Sequence, residues 1–103
     1  MRCCLILPLL LAACGQKTEF ETAGEFEKQM TEQGWAKLGS FGRLKWPARI
    51  VDESKAQDEI SFRAPDGTPH TYPGYTGYEL RVIRLHGTDG SKGAVVYRSK
   101  EKR

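Results

Sequence analysis

All three cysteines of the chain, Cys3, Cys4 and Cys14, lie within its first fourteen residues, and residues 15–103 hold no thiol. Those residues must therefore fold on burial and hydrogen bonding alone. No disulfide framework, Cys-rich zinc site or cysteine nucleophile is open to them. A segment of that size buries roughly 60–65% of the surface its unfolded chain exposes, which is enough for one modest core.

At 103 residues, 39% hydrophobic and 28% charged, the chain fits one domain and is too short for two. The net charge of +3 comes from both signs mixed along the sequence. Nucleic-acid binders gather Lys and Arg on one face, so this balance gives no reason to expect a nucleic-acid partner. The one local excess, Arg98-Ser99-Lys100-Glu101-Lys102-Arg103, reads as a basic, solvated tail.

Met1-Arg2 supplies a positive start, and Cys3 through Ala13 carry no charge, the make-up of a short export signal. Spanning a bilayer takes roughly 20 apolar residues, so a permanent transmembrane helix is disfavoured. Ordinary secretory cleavage after Ala13 would place the large Leu11 where a small residue is required. Leu11-Ala12-Ala13-Cys14 instead resembles the lipobox of bacterial lipoprotein precursors: a branched aliphatic residue, two small residues, then a cysteine. The resemblance implies a diacylglyceryl thioether on Cys14 and cleavage before it. Two or more acyl chains, at ~0.8 kcal/mol per buried methylene, make the attachment stable. Gly15 stands where the family's inner-membrane retention signal has Asp, which implies, in a cell with two membranes, an outer-membrane anchor facing the periplasm, the alternative being a lipid anchor in the cytoplasmic membrane.

Residues 1–13 are thus expected to be a signal peptide, 14–19 a lipidated tether, 20–98 a single small α+β domain and 99–103 a basic tail. From Phe20 to Gln33 the apolar residues Phe20, Ala23, Phe26 and Met30 recur at helical spacing. Thr22 and Glu25 have the form of a capping box, and Gly34 of a C-cap. The predicted helix packs on a small antiparallel sheet. Trp35 to Trp46 is broken by Gly39 and Gly42 and reads as irregular or short strand. A brief strand at 49–52 precedes a polar turn, Glu53 to Asp58. Ile60 and Phe62 alternate with Ser61 and Arg63, ending at the turn signal Ala64-Pro65-Asp66-Gly67. Thr68 to Thr76, with Pro69, Pro73 and Gly74, reads as a loop or edge strand. Tyr78 to Leu85 is the clearest strand, pairing as a hairpin with Ala94 to Arg98.

No catalytic, cofactor or metal motif stands out, and a non-enzymatic protein is expected. His70 and His86 lack a carboxylate at ligand spacing and read as exposed loop histidines. Gly87 to Gly93 lacks the spacing of a phosphate loop. The most suggestive patch is His70 to Tyr78, whose Tyr72, Tyr75 and Tyr78 offer amphipathic area for a protein or glycan and also suit the cap of a small core. Arg81, with Arg63 and Arg84, would add contacts to acidic groups. The expected function is a lipid-anchored envelope module, binding or structural, that acts close to the membrane with an envelope protein or glycan as partner. The second reading is a periplasmic inhibitor or exclusion factor.

Overall fold

The structure, a computed structural model, describes residues 17–102. The expected signal peptide, Cys14 and residues 15 and 16 of its tether lie outside the described residues. The elements in chain order are β1 (Glu19–Phe20), α1 (Ala23–Glu32), β2 (Trp35–Gly42), β3 (Ala48–Arg63), β4 (Pro69–Gly87) and β5 (Lys92–Ser99). They build one antiparallel sheet of order β1-β3-β4-β5-β2. Strand accounts for 62% and helix for 12% of the fold. The expected α+β class is therefore corrected: the protein is a small sheet-dominated fold with one short helix.

The correction comes mainly from β3 and β4. The polar stretch Glu53 to Asp58, expected as a turn, continues β3, with Glu53 opposite Ile83 and Gln57 opposite Glu79. Pairing satisfies its backbone donors and acceptors, so polar side chains are tolerated wherever the face meets water. Thr68 to Thr76, expected as a loop or edge strand, lies mostly within β4. Pro73 and Gly74 fall in a register shift between the pairs Ile60–Tyr72 and Asp58–Tyr75, where no ladder donor is demanded.

That shift also bends the hairpin. Asp58 and Gly77 have φ of 71° and 91°, and Gly77 N donates to Asp58 Oδ1 at 2.9 Å. Beyond the bend, Phe62 of β3 and His70 of β4 meet Phe41 of β2, at ring separations of 5.4 and 4.3 Å. Because β5 lies between β4 and β2 in the sheet, these contacts require the outer hairpin to fold back across the sheet face.

The sheet consequently has a core on each side. Ile83, Leu85, Val95 and Tyr97 join Phe20, Phe26, Met30, Trp35 and Ala48 on the side covered by α1. Leu80, Val82, Ala94 and Val96 join Ile60 and Phe62 beneath the folded hairpin. Alternation along β4 and β5 sends successive residues to opposite cores. This is why Ala94-Val95-Val96-Tyr97 in β5 is a continuous apolar run.

α1 begins later than its apolar periodicity predicts. Thr22 Oγ1 accepts from Glu25 N at 3.2 Å, while Glu25 Oε1 accepts from Glu21 N at 3.0 Å, so the cap fixes the first turn at Ala23. Phe20 instead pairs with Ala48 in β1 and packs edge-on against Phe26 at 5.2 Å. Gly34, at φ 93°, ends the helix as expected, donating to Thr31 O at 3.1 Å. Full burial of Phe26 is worth about 1.5–3 kcal/mol, so this stripe anchors the helix to the sheet. Trp35 to Gly42, expected as irregular or short strand, is an eight-residue edge strand with a register shift at Leu38.

Candidate functional site

The three predicted contact tyrosines gather on the hairpin-covered side. Tyr72 stacks with Phe62 at 6.1 Å and meets Phe41 edge-on at 6.4 Å. Its hydroxyl lies so close over Gly39 that a Cβ there would collide with it. Burial, then the neighbouring Tyr75, pushes the Tyr72 hydroxyl above its ordinary range. Tyr75 packs on the same core and meets Tyr78 edge-on at 6.5 Å. Tyr78 carries Arg98 and Lys102 against its ring, at 5.0 and 5.8 Å. All three tyrosines are half-buried in strand or at its bend, and Tyr72 and Tyr75 close the second core.

Arg81 is not brought to them. Its neighbour Leu80 enters the hairpin-covered core, so Arg81 faces the α1 side, with its guanidinium 4.3 Å from the Trp35 ring centroid and 3.4 Å from Glu53. The other predicted arginines are also engaged within the chain. Arg63 Nη1 donates to Gly67 O at 2.9 Å, and Arg84 Nη1 donates to Asp52 and Ser54, both at 3.3 Å.

Free charge lies instead at the hairpin tip. There an open groove of 710 Å³ runs between the β3–β4 turn and the ends of β2 and β5, lined among others by Phe41, Arg43, Pro65, Asp66, His70 and Lys92. The turn that forms one wall is firmly built. Ala64 N donates to Thr68 O at 2.9 Å, Gly67 N to Ala64 O at 2.8 Å, and Thr68 N to Asp66 Oδ1 at 2.9 Å. The Thr68 backbone N–H, then its side chain, holds the Asp66 carboxyl below the ordinary carboxylate range. Gly42 closes the opposite wall at φ 92°, where any side chain would strike Lys92 O and Pro65.

His70, expected as an exposed loop histidine, is a half-buried member of β4, between Phe41 at 4.3 Å and Phe62 at 5.7 Å. The His70, Tyr72 alternation opposite Phe62 and Ile60 is the signal for this, obscured in the sequence by Pro69 and Pro73. Arg43 and Lys92 have neither an ion pair nor a side-chain hydrogen bond among the described residues. Two free cations therefore face one carboxylate, and that carboxylate is already hydrogen-bonded. Cations beside a flat aromatic wall suit an acidic group carried on a ring or other planar surface.

The Gly87 to Gly93 segment is a hairpin turn closed on itself. Ser91 N and Oγ donate to Asp89 Oδ1 at 2.9 and 2.6 Å, and Lys45 N donates to Ser91 Oγ at 2.9 Å. Among the described residues no group of three or more His, Cys, Asp or Glu is placed to hold a metal, and no helix is long and apolar enough to cross a membrane. Comparison with family models, curated proteins and solved structures gave no match.

Proposed function

We propose that this chain is an envelope lipoprotein, anchored through lipids on Cys14, whose sheet domain is a non-enzymatic binding module for an acidic envelope partner. The Leu11-Ala12-Ala13-Cys14 pattern supports the anchor. Only residues 15–18 separate Cys14 from β1, and at ~3.3 Å per residue they hold the domain within roughly 20 Å of the lipid. The uncompensated Arg43 and Lys92 beside the Phe41–His70 wall carry the binding reading. A carboxylate or phosphate on a cell-wall glycan fits that groove: the ring lies on the aromatic wall and the acid between the two cations.

The purified full chain is expected to be retained on isolated cell-wall sacculi at low salt and released at high salt, because exposed charge pairs are screened. Arg43→Glu with Lys92→Glu should remove retention, whereas Arg81→Ala should leave it. Unchanged retention in the double charge reversal would overturn the groove. The anchor is tested by intact mass of the membrane-extracted protein, where an uncleaved, unmodified chain would overturn it.

A further inference from the structure

Asp66 is the single acidic side chain among the residues that line the groove at the hairpin tip. Its carboxylate is exposed and fixed in place, because Thr68 N donates to Oδ1 at 2.9 Å within the turn that Gly67 N and Ala64 O close at 2.8 Å. An ionised carboxylate offers about four acceptor sites. Thr68 fills two at most, through its N–H and its hydroxyl. No ion pair among the described residues joins Asp66 to Arg43 or Lys92. Spare acceptor capacity, carried on a charge that cannot swing away, therefore stands on one wall of the groove.

That acceptor distinguishes between ligands that the cations and the aromatic wall treat alike. Arg43 and Lys92 attract any acid, and the Phe41–His70 wall takes any ring. A ring that covers Asp66 without a donor of its own displaces water and restores none of its hydrogen bonds, which costs affinity. A ring hydroxyl donates to the carboxylate instead, and a hydrogen bond to a charged acceptor is among the stronger ones. The groove, at 710 Å³, has room for this, since a cavity of about 150 Å³ already accepts a benzene ring. We propose that Asp66 is a specificity-determining residue: it accepts a hydroxyl from the same ring whose acid lies at Arg43 and Lys92, so that the groove takes sugar acids and rejects ring acids without hydroxyls. The inference rests on the groove being the binding site proposed above, and it adds the second polar contact that selects a carbohydrate from among acidic rings.

The test titrates the full chain by NMR with glucuronate and, in parallel, with cyclohexanecarboxylate, which also carries one carboxylate on a six-membered ring but has no hydroxyl. Affinities are read from the amide shifts of Arg43 and Lys92, and the native chain should bind glucuronate the more tightly. Asp66→Asn removes the charge and keeps a side-chain oxygen for the Thr68 N–H, so the turn stays built. In that variant glucuronate should bind about fivefold more weakly, because it loses a charged acceptor worth about tenfold and escapes a repelling charge worth about twofold. Cyclohexanecarboxylate escapes only the repulsion and should bind about twofold more tightly. A role of Asp66 confined to the turn would move both ligands in the same direction. Changes of the same sign, or a native chain that binds the two acids equally, overturn the role of Asp66 and leave the groove standing. Binding of neither acid overturns the groove itself, and this inference with it.

Discussion

The guanidinium of Arg81 lies 4.3 Å from the Trp35 ring centroid while an Nη1 sits 3.4 Å from Glu53, linking β4 to the first residue of an edge strand and to β3 at once. Its side chain is only 17% exposed, so the cation is partly withdrawn from water and the stack is worth more than at a fully solvated site. Arg81→Ala should lower unfolding stability by about 1–2 kcal/mol in urea denaturation. Arg81→Lys should recover only part of this, because an ammonium group lacks the flat face that stacks on the indole. A substitution without effect would show that the stack contributes nothing to stability.

A second contact tests whether the folded-back hairpin is held where the structure places it. Gly39 leaves room for the Tyr72 hydroxyl, and a Cβ at that position would force the ring aside. Gly39→Ala should destabilise the chain by about 1–3 kcal/mol, the usual cost of overpacking. Tyr72→Phe removes the clashing oxygen, so the double substitution should recover most of the loss. Thermal melts of the four chains form a double-mutant cycle, and strictly additive effects would show that the two residues are not in contact.

The same contact explains which parts of the fold were legible in the sequence. The cap at Thr22, the stop at Gly34, the Ala64-Pro65-Asp66-Gly67 turn and the β4–β5 hairpin all depend on neighbours within a few residues, and each was found as expected. The length of β3 and β4 was not legible, because Glu53 to Asp58 is strand only through pairing with residues 75–83. The bend was hidden for a related reason. Pro73, Gly74 and Gly77 signal an interruption, but whether the chain there leaves the sheet or folds over it depends on Phe41, a distant residue on β2.

The candidate site follows the same division. The tyrosine-rich segment stands out by composition, but Tyr72 and Tyr75 close a core, so replacing them with Ser would open a cavity and not test a contact. The arginines were legible as residue types and not as free or paired charges. Arg81 and Arg84 face opposite sides of β4 and have partners on β3. Arg43 and Lys92 remain free for a reason no local pattern records: the hairpin tip arrives beside them from across the sheet.

Asp66 and Asp89 supply a prediction at acid pH. Both carboxyls are held below their ordinary value of 3.8, Asp66 chiefly by the Thr68 backbone N–H and Asp89 chiefly by the Ser91 side chain. A depressed folded-state pKa adds stability above pH 3.8, and this is lost as pH falls through the lower folded-state value. Both groups are exposed, so the effect on melting should be small. The direct measurement is the amide shift of Thr68 and Ser91 during acid titration. Each should move with a midpoint below 3.8, and a midpoint at or above it would mean that these turn hydrogen bonds do not persist in solution.

Tyr97 gives the opposite prediction at alkaline pH. Burial, then the nearby Glu27 carboxylate, pushes its hydroxyl far above the ordinary value of 10.0. Below pH 10 the hydroxyl is protonated in both folded and unfolded chains and stability does not depend on its titration. As pH rises above 10, the unfolded chain releases this proton and the folded chain keeps it, so the unfolded state gains and stability falls. Tyr97→Phe removes that proton from both states, and it also removes the unpaired buried oxygen. The variant should therefore melt at or above the native temperature at pH 7, since the lost hydroxyl has no partner among the described residues to leave behind. Between pH 9.5 and 11.5 its advantage should widen steadily, because only the native chain carries the penalty. Parallel melting curves across that range would show that Tyr97 ionises as freely in the folded chain as in the unfolded one, and hence that its hydroxyl is not withdrawn from water.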